Sequence, residues 1–451
     1  MESVHHKALL TFYRNPDKKI IMIPSTQKHS KTRNAPKSFL QTLGPGLITG
    51  ASDDDPSGIG TYSQVGAQFG YTMLWTMLFS YPLMGAIQEI SARIGRVTGR
   101  GIAGNLRRYY PRWLTYIIAG LLVIANVINL GADISAMGAA LKLLIGGSAL
   151  LYAAFFAFAS LLLQIFVPYA KYVNFLKWLT LVLFAYVATV FVIHVPWGQA
   201  LYSTFVPTIE LKPEYFAGLI AVLGTTISPY LFFWQASEEV EEIERVPEEN
   251  ALKESAQQAP KQLQRIKADT YIGMGISNII AFFIMLTAAV TLHAHGKTDI
   301  QSAAQAAEAL RPVAGNFAYA LFTAGIVGTG LLAVPVLAGS AAYAVSGVFG
   351  WPASLERKAL QAKRFYGVLA AATLIGLGLN FTPIDPIKAL FWAAVINGVL
   401  AGPVMLVIML MATNPAVMGQ FTLSRRLRIT GWLATAVMLL SAGGLFATWG
   451  K

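Results

Sequence analysis

The chain has no cysteine. Disulfides, thiolate metal sites, iron–sulfur clusters and cysteine nucleophiles are therefore excluded. Charge is scarce as well: charged residues make up 12% of the 451 positions, about half the share usual in soluble domains. Apolar residues make up 55%, and the mean hydropathy is +0.54. Such a chain lacks the polar surface to face water on all sides, and its low charge and high hydrophobicity exclude disorder. The composition is that of a membrane protein. The formal charge of +12 would point to nucleic acid in a soluble protein. In a membrane protein the same excess reports which loops stay inside.

What the chain has in abundance is apolar runs of about 17–25 residues, long enough to cross a bilayer. Eleven are expected, at 44–69, 70–93, 113–142, 147–170, 173–196, 215–237, 270–293, 316–347, 364–381, 388–411 and 429–449. Residues 1–38 are polar and basic with no apolar core, so they read as a cytoplasmic tail rather than a cleaved signal. With residue 1 inside, 28 Lys and Arg fall inside and 6 outside. That asymmetry sets the N-terminus in the cytoplasm and the C-terminus outside. The expected location is a plasma membrane of the bacterial inner-membrane kind, with the lipid bilayer as a partner and nucleic acid excluded. The acidic run that opens at Ser237-Glu238-Glu239 and continues through Glu254 is open to two readings. One is a solvated helical linker; the other is a cation-attracting vestibule.

Ionisable groups inside a span cost about 2.5–3.5 kcal/mol each at its centre. The first span holds Asp53, Asp54 and Asp55 in succession, followed by Pro56-Ser57-Gly58. Three charged, central carboxylates would cost on the order of 8–10 kcal/mol. If 44–52 were a complete apolar segment, the acids would lie in a loop. That segment is too short to cross alone, so the crossing has to continue beyond Gly58 and the acids fall near mid-membrane. Pro56 lacks an N–H and Gly58 loosens the backbone, which together break the helix there. The carbonyls freed around Ser52 can then face a cavity. Successive residues of a regular helix point about 100° apart, so Asp55, nearest the break, is the first choice for the site, with Asp54 and Asp53 around it.

The sixth span repeats the pattern as Gly224-Thr225-Thr226-Ile227-Ser228-Pro229-Tyr230. Taken alone, Pro229 is open to reading as an ordinary kink. Paired with the break in span one, four spans apart, it matches two inverted five-span repeats with a substrate held at the midplane between discontinuous helices. The expected organisation is a tail (1–38), a first five-helix repeat (39–196), a second (215–411) and an additional C-terminal helix (429–451). Glu89 in span two, Asp133 in span three and Asn397 in span ten are open to two readings, helix–helix hydrogen bonds or an ion or proton path. His293 and His295 are expected to be merely solvated. The spans contain no zinc motif, Ser/His/Asp cluster or phosphate loop, so no enzyme is expected.

At these residues the sequence resembles the NRAMP family of divalent-metal transporters. The resemblance runs from about 40 to 420. It is carried by Gly44-Pro45-Gly46, by Ala67-Gln68-Phe69-Gly70-Tyr71, Leu74-Trp75 and Ile87-Gln88, and by Gly138-Ala139-Ala140-Leu141. Ser228-Pro229, the Gly325–Gly330 stretch, Asn414-Pro415 and Met418-Gly419 add to it. It implies an all-α polytopic membrane protein with a LeuT-like fold of eleven or twelve spans and a metal bound between broken helices one and six. The family's Asp-Pro-Gly-Asn aligns with Asp55-Pro56-Ser57-Gly58, keeping the metal-binding aspartate and replacing the asparagine by Gly58. Its Met-Pro-His aligns with Ser228-Pro229-Tyr230, so the thioether is gone and a histidine linked to proton movement is replaced by Tyr230. Asp133 matches the family's span-three aspartate if one residue is deleted.

The implied site is Asp55 with Asp54, Asp53, Ser52, Ser57, Thr225, Ser228 and Tyr230, between the breaks at Pro56, Gly58 and Pro229. Without the soft thioether, oxygen donors remain, a set that suits Mg²⁺ or Mn²⁺. This pattern is similar to the NRAMP-related magnesium transporters. The transported ion is the substrate, protons are a candidate second partner, and no cofactor is implied. An alternative expectation is a transporter of the same fold that carries a small organic solute, with proton coupling left open.

Overall fold

The structure is a computed structural model that describes residues 45–168 and 178–449. The expected tail 1–38, the junctions of the fourth and fifth expected spans (169–177, with Lys171 and Lys177) and the last two residues lie outside the described residues. Everything regular among the described residues is helical. In chain order the α-helices are α1 (Pro45–Asp53), α2 (Pro56–Phe69), α3 (Trp75–Thr98), α4 (Ile102–Tyr109), α5 (Arg112–Ile145) and α6 (Ala149–Phe166). Next come α7 (Phe184–Val192), α8 (Trp197–Phe205), α9 (Pro213–Thr226), α10 (Pro229–Arg245), α11 (Ala259–Thr291) and α12 (Ala303–Ala307). The last are α13 (Arg311–Ala314), α14 (Ala318–Phe349), α15 (Lys363–Gly378), α16 (Pro386–Thr413), α17 (Pro415–Met418) and α18 (Arg425–Thr448).

Eight helical stretches among the described residues are long and apolar enough to cross a membrane: Arg112–Ile145, Ala149–Phe166, Pro213–Arg245, Ala256–His295, Ala303–Phe349, Lys363–Phe381, Pro386–Thr413 and Arg425–Thr448. Helices also stand at the other three expected positions, for physical reasons that keep them below that standard. The first is split into nine and fourteen residues at its break. Most of α3 is buried, so its Gln88, Glu89 and Arg96 meet protein rather than lipid. The described part of the fifth is the short apolar stretch Leu179–Val192.

The broken helices sit at the centre. Both α1 and α2 pack along α11, α9 packs along α16, and α10 lies between α3 and α14. These contacts are backbone to backbone. A Cβ on Gly46 would lie 2.8 Å from the Thr270 nitrogen, and one on Gly224 would overlap the Ala394 carbonyl and Gly398. Lacking a hydrophobic drive between helices in lipid, membrane bundles rely on such small residues for close packing. Large apolar side chains of the outer helices, among them Leu151, Phe166 and Phe191, point outward.

At one end of the bundle charges are buried in pairs. Arg96 of α3 pairs with Glu249, and Gln262 donates to the same carboxylate at 2.7 Å. Glu239 of α10 pairs with Arg265 of α11, and Asp269 accepts the Gly46 backbone N–H at 2.8 Å. The first half of the acidic run is therefore not a solvated linker. Helix α10 continues to Arg245 and turns Glu239 into the bundle. Glu241 is engaged too, accepting from Tyr343 (2.6 Å), Ser354 (2.7 Å) and the Leu355 N–H (3.1 Å). His293 also departs from expectation, since its Nδ1 lies 2.8 Å from the Ala67 carbonyl.

Candidate cation site

Two prolines create the site. In a continuous helix the carbonyl of residue i accepts from the N–H of residue i+4. Pro56 and Pro229 have no N–H, so the Ser52 and Thr225 carbonyls lose their helical partners. A hydroxyl serves each of them. The Tyr230 hydroxyl lies 3.1 Å from the Ser52 oxygen. The Ser228 hydroxyl lies 2.8 Å from the Thr225 oxygen and 2.8 Å from that of Gly224. A carbonyl has two lone pairs, so each keeps one for a further ligand.

Asp55 occupies the gap between α1 and α2 and caps α2. Its backbone is extended (φ −71°, ψ 171°) and its Oδ1 accepts from the Gly58 N–H at 2.7 Å. An N-cap aspartate followed by proline at the first helical position is a strong start signal. The other oxygen, Oδ2, accepts from Asn129 Nδ2 at 3.0 Å and lies 3.2 Å from the Tyr230 hydroxyl. Tyr230 has one proton for two acceptors, Asp55 and Ser52, and so ties the two breaks together. Thr225 and Gly58 also face each other: a Cβ at Gly58 would lie 3.2 Å from Thr225 Oγ1.

The remaining acids surround this gap. Ser277 of α11 lies 2.6 Å from Asp53 Oδ2 and 3.1 Å from Asp54 Oδ1. These two carboxylates thus turn to α11, whereas Asp55 turns to α5 and α10. Asp53 Oδ1 is buried without a hydrogen-bond partner. Asp133 Oδ1 accepts the Ser57 N–H at 3.1 Å, and its Oδ2 likewise has no partner. Asp53, Asp54, Asp55 and Asp133 are all buried. Carboxylates grouped in a water-poor setting would repel strongly if all were charged, and a divalent cation would relieve that repulsion.

The expected residues divide into those the structure brings to the break and those it does not. Ser52, Asp55, Gly58, Thr225, Ser228 and Tyr230 stand at the break, whereas Asp53 and Asp54 border it and turn to Ser277 of α11. The Ser57 hydroxyl is spent on the Leu390 carbonyl of α16 at 3.1 Å. Asn397 reaches the site through Asn129, donating to its Oδ1 at 3.3 Å. Glu89 does not reach it, because its carboxylate pairs with Arg93 at 2.6 Å, one turn along α3. Asn129 and Ser277 were not among the expected site residues. Asn129 had a signal, since it sits four residues before Asp133 and therefore on the same helix face. Ser277 had none, serine being ordinary in membrane helices. Among the described residues no three His, Asp or Glu side chains form a metal-ligand group; the oxygens beside Asp55 at the break are carbonyls and hydroxyls.

The chain has relatives among known proteins. A family model described as natural resistance-associated macrophage protein-like matches residues 46–448. The chain is 26% identical over 439 residues to the divalent metal cation transporter MntH of Klebsiella pneumoniae (strain 342), covering 94% of this chain and 98% of that one. It is 27% identical over 323 residues to MntH of Mesorhizobium japonicum, covering 68% and 69%. Among solved structures, it is similar to the Eremococcus coleocola manganese transporter in complex with an aromatic bis-isothiourea substituted compound (TM-score 0.68, 16% identity, 92% and 88% covered). It is also similar to MhsT in complex with L-phenylalanine (TM-score 0.60, 13% identity, 89% and 98% covered). At such identities the structural likeness shows the fold, an all-α, polytopic, LeuT-like arrangement.

Proposed function

The chain belongs to the natural resistance-associated macrophage protein-like family, and from that membership we propose that it is a secondary transporter moving divalent cations by alternating access. One observation carries the proposal. The proline-orphaned Ser52 carbonyl and the buried Asp55 carboxylate share the Tyr230 hydroxyl, and across the break the side chain of Thr225, whose carbonyl is orphaned by the second proline, faces Gly58. Its relatives are named as divalent metal cation transporters and its structural neighbour as a manganese transporter.

Every donor at the break is oxygen: the Asp55 carboxylate, the Ser52 and Thr225 carbonyls, and the Ser228 and Tyr230 hydroxyls. Such a set favours the hard cations Mg²⁺ or Mn²⁺ over softer metals. Asp53 and Asp54 add negative field from the α11 side and can hold the waters that Mg²⁺ surrenders reluctantly. When the cation takes Asp55 Oδ2, the Tyr230 proton can turn to the Ser52 carbonyl, so the site adjusts without leaving a buried donor unpaired. Tyr230, at the family's histidine position, supports transport in which this position carries no proton.

The proposed topology is eleven crossings in two inverted five-helix repeats (39–196 and 215–411) plus a last helix (429–451). The 28-to-6 distribution of Lys and Arg supports a cytoplasmic N-terminus and an external C-terminus in a bacterial inner membrane. Titration calorimetry tests the substrate class. Heat on adding Mg²⁺ or Mn²⁺, and none with amino acids or sugars, is expected; heat with an organic solute alone would overturn the cation assignment. A pH-sensitive dye inside proteoliposomes is expected to show no acidification during cation uptake.

Two substitutions probe the donors. Ser228→Met places a thioether at the break and is expected to raise the Mn²⁺-to-Mg²⁺ affinity ratio about tenfold, a change of ~1.4 kcal/mol. An unchanged ratio would place Ser228 outside the coordination sphere. Asn129→Ala removes a hydrogen bond to the Asp55 carboxylate, and such bonds to charged groups are worth about 1.5–3 kcal/mol. Cation affinity is expected to fall about tenfold, at the low end of that range; Asn129→Gln, which keeps the amide, is the control.

A further inference from the structure

A cavity of about 330 Å³ lies apart from the residues of the cation site. It lies where the C-terminal parts of α10 and α14 meet the start of α4. We propose that this cavity binds a phosphate group, presented as the headgroup of an anionic lipid. Four features converge on that chemistry.

First, the N-terminus of α4 opens into the cavity through Gly101, Ile102, Ala103 and Gly104. Its N-cap is Gly101, and no side chain caps it. The first N–H groups of a helix have no intrahelical partner, and uncapped ones form a ready anion site. Second, the Ser346 hydroxyl lines the same cavity, is fully buried, and has no hydrogen-bond partner. A buried, unpaired hydroxyl is costly and calls for a ligand.

Third, the cavity lining carries more positive than negative charge, three arginines against two glutamates. The cavity is lined by Arg100, Arg107, Arg357, Glu241 and Glu244. Glu241 is occupied by Tyr343, Ser354 and the Leu355 N–H, and Glu244 pairs with Arg357 at 3.4 Å. Arg100 and Arg107 have no acidic partner among the described residues. Arginine forks match phosphate oxygens in geometry as well as charge. A cation would instead have to compete with these two guanidinium groups.

Fourth, an aromatic path leads from the cavity to the outer surface of the bundle. Trp351 lines the cavity and stacks on Phe349 (4.8 Å between centroids), which in turn contacts Tyr116 of α5 (6.2 Å). Phe349, Tyr116 and the nearby Trp113 are exposed. Aromatic residues of this kind mark the membrane–water boundary, and basic pockets between helices at that level hold lipid headgroups. On the orientation proposed above, this is the cytoplasmic leaflet.

The test is native mass spectrometry of the full chain released from phosphatidylglycerol–phosphatidylcholine membranes. Phosphatidylglycerol is expected to be retained preferentially, and the double substitution Arg100→Gln/Arg107→Gln to reduce its retention about tenfold. Ser346→Ala, which alters one buried oxygen, is expected to reduce it less and keeps the test open if the double variant fails to fold. A second arm measures thermal stabilisation by inorganic phosphate in lipid-free detergent. Arginine-dependent stabilisation there, without lipid retention, would support the phosphate site while overturning a lipid as its source. Equal retention of both lipids together with no effect of phosphate, or retention unaffected by the arginine substitutions, would overturn the site itself.

Discussion

Asp55→Ala is expected to lower affinity for Mg²⁺ and Mn²⁺ by at least about a hundredfold, ~2.7 kcal/mol, and to abolish uptake. Asp55 is the carboxylate shared by both halves of the break. It caps α2 through Gly58, and it meets α5 through Asn129 and α10 through Tyr230. Replacing it removes the one charge placed among the orphaned carbonyls. The loss of the N-cap also destabilises α2, by about 1 kcal/mol. Asp55→Asn separates the two effects, because asparagine caps well but is neutral. Calorimetry on Asp55→Asn is expected to show the binding loss with near-normal melting. Binding retained by Asp55→Asn would show that the cation does not need this charge.

The second large effect concerns stability. Arg96 is fully buried, and two of its guanidinium nitrogens, Nε and Nη1, have no hydrogen-bond partner. Its ion-pair partner is Glu249, which lies on the connection after α10, with the buried Glu239 a more distant counter-charge. That connection runs along the end of α3, with the Leu252 and Lys253 N–H groups donating to the Arg96 and Val97 carbonyls at 3.1 and 3.2 Å. Glu249→Gln removes the carboxylate bonded to the buried Arg96 and leaves the more distant Glu239 as its counter-charge, at a cost of up to about 3–5 kcal/mol. A clear fall in the thermal unfolding midpoint is expected. Removing both charges, as in Arg96→Met/Glu249→Met, is expected to recover most of the loss, since apolar replacements of buried pairs are often neutral. A double variant no more stable than Glu249→Gln would show that the pair acts through something other than charge compensation.

Much of the site was legible because its causes are local. A proline deletes one N–H, and counting four residues back identifies the orphaned carbonyl. Ser52 and Thr225 follow from Pro56 and Pro229 without any tertiary information. Asp55 stood out because carboxylates in an apolar run require a reason. Tertiary partners were harder. Tyr230 stood beside a break, but its service to Ser52 depends on how α10 crosses α1. Ser277 is an unmarked serine, and only the packing of α11 on α1 brings it to Asp53 and Asp54. Glu89 shows the opposite failure. Its cost in the membrane is offset by Arg93 on the same helix, an i, i+4 pairing open to inspection in the sequence.

The fold followed the same division. Among the described residues eight of the eleven expected positions hold helices long and apolar enough to cross a membrane, and length alone undervalues α3, whose polar residues face protein. The acidic run misled because charge density says nothing about which way a helix face turns. Once α10 is seen to extend to Arg245, Glu239 falls opposite Arg265 and Glu241 falls beneath Tyr343.

Uptake by the purified full chain in proteoliposomes tests the central claim most directly. Liposomes loaded with a divalent-cation indicator are exposed to Mg²⁺ and, separately, to Mn²⁺, with Asp55→Ala liposomes in parallel. Saturable entry of at least one of the two ions, absent with Asp55→Ala, is the expected result. No entry of either ion through the unmodified protein, or equal entry through Asp55→Ala, would contradict a divalent-cation site at the paired breaks.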